Sequence, residues 1–126
     1  MKKLELLLRL VAAGILFQTL YFKFSAAPES VYIFTKLQVE PWGRLFAGFS
    51  ELVAVILLLV PRTKLFGALA AIGIMAGAIL SHLFVLGIQV EGDGGLLFAL
   101  AVIVLFSALG IVYINLEKRV SGTHVS

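Results

Sequence analysis

No cysteine occurs anywhere in the 126 residues, which excludes disulfides, thiol relays, thiolate metal sites and covalent haem attachment. Any redox role therefore has to use a borrowed cofactor or a partner. Charge is scarce as well: 13% of residues are charged, against about 25% in soluble domains. A soluble globule is excluded. Proline occurs three times, and none of the three falls inside a long apolar stretch, where it would break a helix.

Hydrophobic residues make up 61% of the chain, and the mean hydropathy is +1.10. Four stretches, at about residues 4–24, 42–60, 65–88 and 96–116, reach the roughly 20 residues needed to cross about 30 Å of hydrocarbon. Pro41 and Pro61 bracket the second. Lipid admits only helices and closed barrels, because every backbone polar group must be satisfied internally. With no period-two alternation in the stretches, helices follow. The expectation is an all-α integral membrane protein, a four-helix transmembrane bundle forming one membrane domain over residues 1–126. "MKKLELLLRLVAAGILFQTL" resembles a signal peptide. Glu5, Arg9 and Lys23 interrupt the charge layout of such a peptide, so the stretch is read as the first helix.

The net charge of +3 sits at segment ends rather than on one face, which is no footprint for nucleic acid. With four spans, Lys2, Lys3, Arg62, Lys64, Lys118 and Arg119 share one side, and Lys23, Lys36 and Arg44 the other. The excess of basic residues places both termini in the cytoplasm of a cell whose inner membrane the chain crosses.

The first loop is the longest, and "APESVYIFTKLQVEP" within it has Pro28 suited to a first helical position. Val31, Phe34 and Leu37 recur at three-residue spacing. This predicts a short interfacial helix lying on the membrane or capping the bundle. Tyr21, Tyr32 and Trp42 fall near one boundary and Tyr113 near the other, as interfacial anchors do.

"AGFSELVAVILLL" sets Glu51 inside an apolar run, where a carboxylate costs about 2.5–3.5 kcal/mol on insertion scales. Taken from a boundary near Gly43, Glu51 is eight residues in, roughly 12 Å at ~1.5 Å per residue. Gln18 and His82 lie six residues before the ends of their own spans, so three polar groups on three helices share one level. Arg44, Gly48, Glu51 and Val55 fall on one helical face, as do Ala71, Met75, Ala78 and His82, and as do Gly14, Gln18 and Tyr21. Lys23, Arg44 and Asp93 lie above, at the rim, with Asp93 also placed to cap the fourth helix. The other half of the membrane holds Arg9 and Ser107 with no comparable gathering. Intramembrane ionisable groups mark ligands, partners or proton paths, so the candidate ligand-binding set is Glu51, His82, Gln18, Tyr21, Arg44, Lys23 and Asp93. A structural ion pair or hydrogen bond is the competing account of Glu51. One histidine and one carboxylate do not suffice for a metal site. Gly73, Gly77 and Ser81 form a separate small-residue ridge for packing inside the bundle or against another copy in a homo-oligomer.

Taken together, "LFQTLYFKFSAAPES", "EPWGRLFAGFSELVAVILLLVPRTKLFGA", "IMAGAILSHLF" and "EGDGGLLFAL" resemble the DoxX family of small bacterial membrane proteins over about residues 9–115. The glutamate early in the second helix and the histidine late in the third carry most of the likeness. The resemblance implies a four-helix inner-membrane protein, more an auxiliary subunit associated with a redox-enzyme partner than an enzyme on its own, and it suggests a quinone as the ligand. A proton-coupled exporter and a purely structural partner protein are the competing functions.

Overall fold

The structure, a computed structural model, describes residues 2–87 and 95–120, with the backbone alone for residues 29, 119 and 120. Its helices are α1 (Lys2–Phe24), α2 (Pro28–Lys36), α3 (Trp42–Leu59), α4 (Lys64–Ser81) and α5 (Leu96–Val120). Among the described residues, four segments are long and apolar enough to cross a membrane: Lys2–Phe24, Trp42–Leu59, Pro61–Leu86 and Leu96–Lys118. No strand occurs among the described residues. The chain is an all-α membrane bundle.

Local chemistry sets the boundaries. Pro28 opens α2 in its first turn, where its missing N–H would have had no partner anyway. Pro41 precedes α3, and Val60, extended at φ −87° and ψ 121° before Pro61, ends it. Pro61–Thr63 forms a 3-10 turn, and the Thr63 hydroxyl donates to the Leu57 carbonyl at 2.9 Å, tying the turn to the end of α3.

Around the bundle, α1 packs on α3, α3 on α4, α4 on α5 and α5 back on α1. Leu16, Leu58, Val104 and Ile111 are fully buried where they meet. Lipid tails are as apolar as these side chains, so close packing and interhelical hydrogen bonds hold the ring rather than the hydrophobic effect. At the crossing of α3 and α4, a Cβ on Gly67 would lie 2.6 Å from the Leu58 backbone nitrogen; only glycine permits that approach. The short helix α2 touches α1, α3 and the end of α4's segment, so it caps the bundle, one of the two placements the loop's spacing allowed.

The third span, expected over about 65–88, runs over Pro61–Leu86 among the described residues, with α4 giving way after Ser81 to a π-helical turn, His82–Leu86. Its wider loop closes with the Gly87 N–H donating to the His82 carbonyl at 2.7 Å, and Gly87 terminates it at φ 82°, a conformation open to glycine. On α1 the inward face is Ala12, Ala13, Leu16 and Leu20, whereas Gly14, Gln18 and Tyr21 are exposed. The faces read for α3 and for α4 turn inward, with Arg44, Gly48, Glu51 and Val55 buried on the first and Ala71, Met75 and His82 on the second.

Candidate functional site

Glu51 lies on the inward face of α3, and Gly48, one turn before it on that face, lets the Phe24 ring approach: a Cβ there would sit 3.0 Å from that ring. The glutamate is 2% exposed. Its Oε2 accepts a hydrogen bond from the Thr19 hydroxyl of α1 at 2.8 Å. Lys23, one turn further along α1, brings its Nζ to 3.0 Å from Oε1. The ammonium compensates the buried carboxylate as an ion pair.

Arg44 stands behind this pair rather than in it. Its Nε donates to Glu40 Oε1 at 2.8 Å, and its Nη1 donates to the Lys23 carbonyl. A cation at a helix C-terminus satisfies free carbonyls and the helix dipole together, so Arg44 closes the end of α1 and holds the turn from which the Lys23 side chain extends.

His82 starts the π turn and is 5% exposed. Its Nδ1 lies 3.0 Å from the Gly87 carbonyl. A carbonyl only accepts, so Nδ1 carries the hydrogen and the neutral ring keeps Nε2 as an acceptor. Phe98 of α5 meets the imidazole edge to face, with centroids 5.6 Å apart.

Glu51, Lys23, Thr19 and His82 line one cavity of about 330 Å³ whose walls include Ile15, Phe22, Ile33, Phe34, Met75 and Leu97. All five helices contribute. From α2, Ser30, Ile33, Phe34 and Leu37 form its cover. The volume is at the low end of the roughly 300–1,000 Å³ of small-molecule sites, and a mostly apolar wall with few polar groups is what such sites use. Among the described residues no three His, Asp or Glu side chains gather to hold a metal ion.

Of the residues read from the sequence, Glu51, His82 and Lys23 come together here, and Arg44 supports them through the Lys23 carbonyl. Gln18 and Tyr21 do not join them. Both are exposed, Tyr21 at 61%, because α1 is rotated to bury its alanines and leucines. Asp93 lies outside the described residues. Thr19 and Ser30 were missed; the three- and four-residue steps from Leu16 to Thr19 and on to Lys23 would have pointed to the first.

A second polar cluster overturns the expectation that the other half of the bundle holds none. Glu5 is 3% exposed, with Oε1 at 2.6 Å from Lys64 Nζ and 3.9 Å from Lys118 Nζ. Its Oε2 accepts from Asn115 Nδ2 at 2.8 Å. Arg9 donates from Nε to the Leu58 carbonyl at 2.7 Å and from Nη2 to the Leu59 carbonyl at 2.9 Å, closing the end of α3 as Arg44 closes the end of α1. Between the clusters the buried side chains of α1 and α3 are apolar, among them Ala12, Ala13, Leu16, Ala54 and Val55, and α5 adds the buried Ser107 between Phe98 and Asn115. Glu5 and Thr19 are fourteen residues apart on α1, roughly 21 Å along the helix.

A family model for the DoxX-like family matches residues 6–111. No curated protein and no solved structure matches the chain.

Proposed function

The chain belongs to the DoxX-like family, and from that premise we propose that it is an auxiliary membrane protein whose Glu51 cavity binds the head group of a lipophilic small molecule, a quinone-type ring being the best fit. One observation carries the reading: the buried Glu51 carboxylate, paired with Lys23 at 3.0 Å, faces a mostly apolar cavity of about 330 Å³. A ligand with a polar head and an apolar body matches such a wall. The volume suits one substituted ring, with a tail passing between helices into lipid. In this reading the membrane is the bacterial inner membrane, both termini are cytoplasmic and the cavity lies in the outer leaflet, following the basic residues at the chain's N-terminal side. An oxidoreductase is the partner that the family resemblance suggests, and the chain carries no chemistry of its own.

Proton-coupled transport, the competing reading, needs a polar path from Glu51 to the opposite face. The Glu5 cluster supplies groups there, but the apolar layer of Leu16, Ala54 and Leu58 separates the two.

Mass spectrometry of lipophilic compounds co-purifying with wild-type, Glu51→Gln and Glu51→Leu protein tests the binding reading. Wild type should retain a ring-bearing lipophile, the Gln variant part of it and the Leu variant almost none. Equal content in all three would end the proposal.

A further inference from the structure

The outward face of the bundle is apolar almost throughout. On α3, α4 and α5 every exposed position over 46–59, 66–85 and 96–109 is apolar or glycine. Helix α1 departs from this. Gln18 is exposed six residues before the helix ends at Phe24, about 9 Å along the axis, and its amide has no hydrogen-bond partner among the described residues. Lipid tails offer it neither donor nor acceptor.

Gln18 belongs to a stripe with its own period. Leu7, Val11, Gly14, Gln18 and Tyr21 follow one another at alternating steps of four and three, on the side of α1 opposite the buried Leu16. That is the seam spacing of paired helices. A Cβ at Gly14 would meet nothing within 4 Å, so one turn from the amide the seam is narrow enough for a second backbone to come close.

We infer that α1 pairs with α1 of a second copy along this seam, the two Gln18 amides hydrogen-bonding to each other. Every copy inserts with the same orientation, so a two-fold axis along the membrane normal sets the two helices parallel and brings each residue to its own counterpart at one depth. An amide carries both donors and an acceptor. Gln18 is therefore its own complement, which neither lipid nor an aliphatic helix is, and a single polar residue in an apolar seam also fixes the register. Thr19 and Lys23 reach Glu51 from the other side of α1, so the seam leaves the cavity intact and the inference stands apart from the ligand reading.

The absence of native cysteine makes oxidative cross-linking in native membranes the direct test. Leu7→Cys, Val11→Cys and Tyr21→Cys, each alone on the seam, should give disulfide-linked dimers. The exposed but off-seam Leu6→Cys and Phe17→Cys, and Leu69→Cys on α4, should give far fewer. Energy transfer between labelled copies in liposomes, followed on dilution with lipid, then reads the amide. Gln18→Leu should raise the dissociation constant roughly threefold to thirtyfold, the range that interhelical hydrogen bonds in membranes supply, while Gln18→Asn should keep most of the association. Gln18 is exposed in the single bundle, so neither change disturbs the fold. Cross-links from all six positions alike, cross-links favouring Leu69→Cys, or none at any position overturn the seam. A Gln18→Leu protein that associates as tightly as wild type overturns the amide pairing.

Discussion

Lys23 brings its ammonium to 3.0 Å from Oε1 of Glu51, while Thr19 holds the other oxygen at 2.8 Å. The pair is a buried charge compensation in the cavity wall, and its contributions to stability and to binding separate. Removing one member of a buried pair leaves the other uncompensated, whereas replacing both by apolar residues is often near neutral. Lys23→Met should therefore lower stability by about 1–3 kcal/mol, and Lys23→Met combined with Glu51→Leu should restore most of it without restoring ligand content. Unfolding in mixed micelles, with ligand content measured on the same samples, checks both halves.

Glu5 ties α1 to α4 and α5 through Lys64 and Asn115. Glu5→Leu leaves the Asn115 amide with the Ile111 carbonyl alone, and Lys64, about a fifth exposed, can reach water. The expected loss is about 1–3 kcal/mol with ligand binding at the Glu51 cavity unchanged. A drop in ligand affinity equal to that of Glu51→Leu would show the two clusters to be coupled.

Two glycines of α4 should respond in opposite senses. At Gly67 a methyl group meets the Leu58 and Leu57 backbones, at 2.6 and 2.8 Å, and backbone has little room to move, so Gly67→Ala should cost about 1–3 kcal/mol. Gly73 has nothing within 4 Å of that position, so Gly73→Ala should gain up to about 1 kcal/mol of helix propensity. Thermal transitions of both variants decide this. If Gly73→Ala instead destabilises and changes the oligomeric state, the ridge packs against another copy.

With no native cysteine to give background, Thr123→Cys reports sidedness directly. A membrane-impermeant maleimide should leave it unlabelled in intact cells and label it once the membrane is opened. Labelling from outside rejects cytoplasmic termini.

Much of the fold was legible because the signals were local. Pro28, Pro41 and Pro61 mark helix starts and ends, and the length of each apolar run sets a span. The inward faces of α3 and α4 were legible because Glu51 and His82 stand out against apolar surroundings. On α1 the same logic misled: Gln18 and Tyr21 are exposed, and in that half of the helix the buried face is Ala12, Ala13, Leu16 and Leu20. Along the apolar middle of that helix hydropathy carries no inside and outside, and residue size does not either, since Gly14 is exposed while Leu16 and Leu20 are buried. The Glu5 cluster was hidden for another reason. Glu5 and Asn115 are 110 residues apart, and nothing in the local pattern of either points to the other. The π turn depends on how Gly87 closes on His82, which periodicity does not encode.

Photoaffinity labelling with a lipophilic phenol bearing a diazirine on its ring tests most directly whether a ligand occupies the cavity beside Glu51. The account predicts cross-links on the segments that wall it, around Thr19 and Phe22 in α1, Ile33 and Phe34 in α2, and Ala78 and His82 next to the π turn. Competition by unlabelled phenol and Glu51→Leu should each suppress these cross-links. Labelling confined to exposed residues such as Phe66, Phe106 and Tyr113, and indifferent to both, would contradict it.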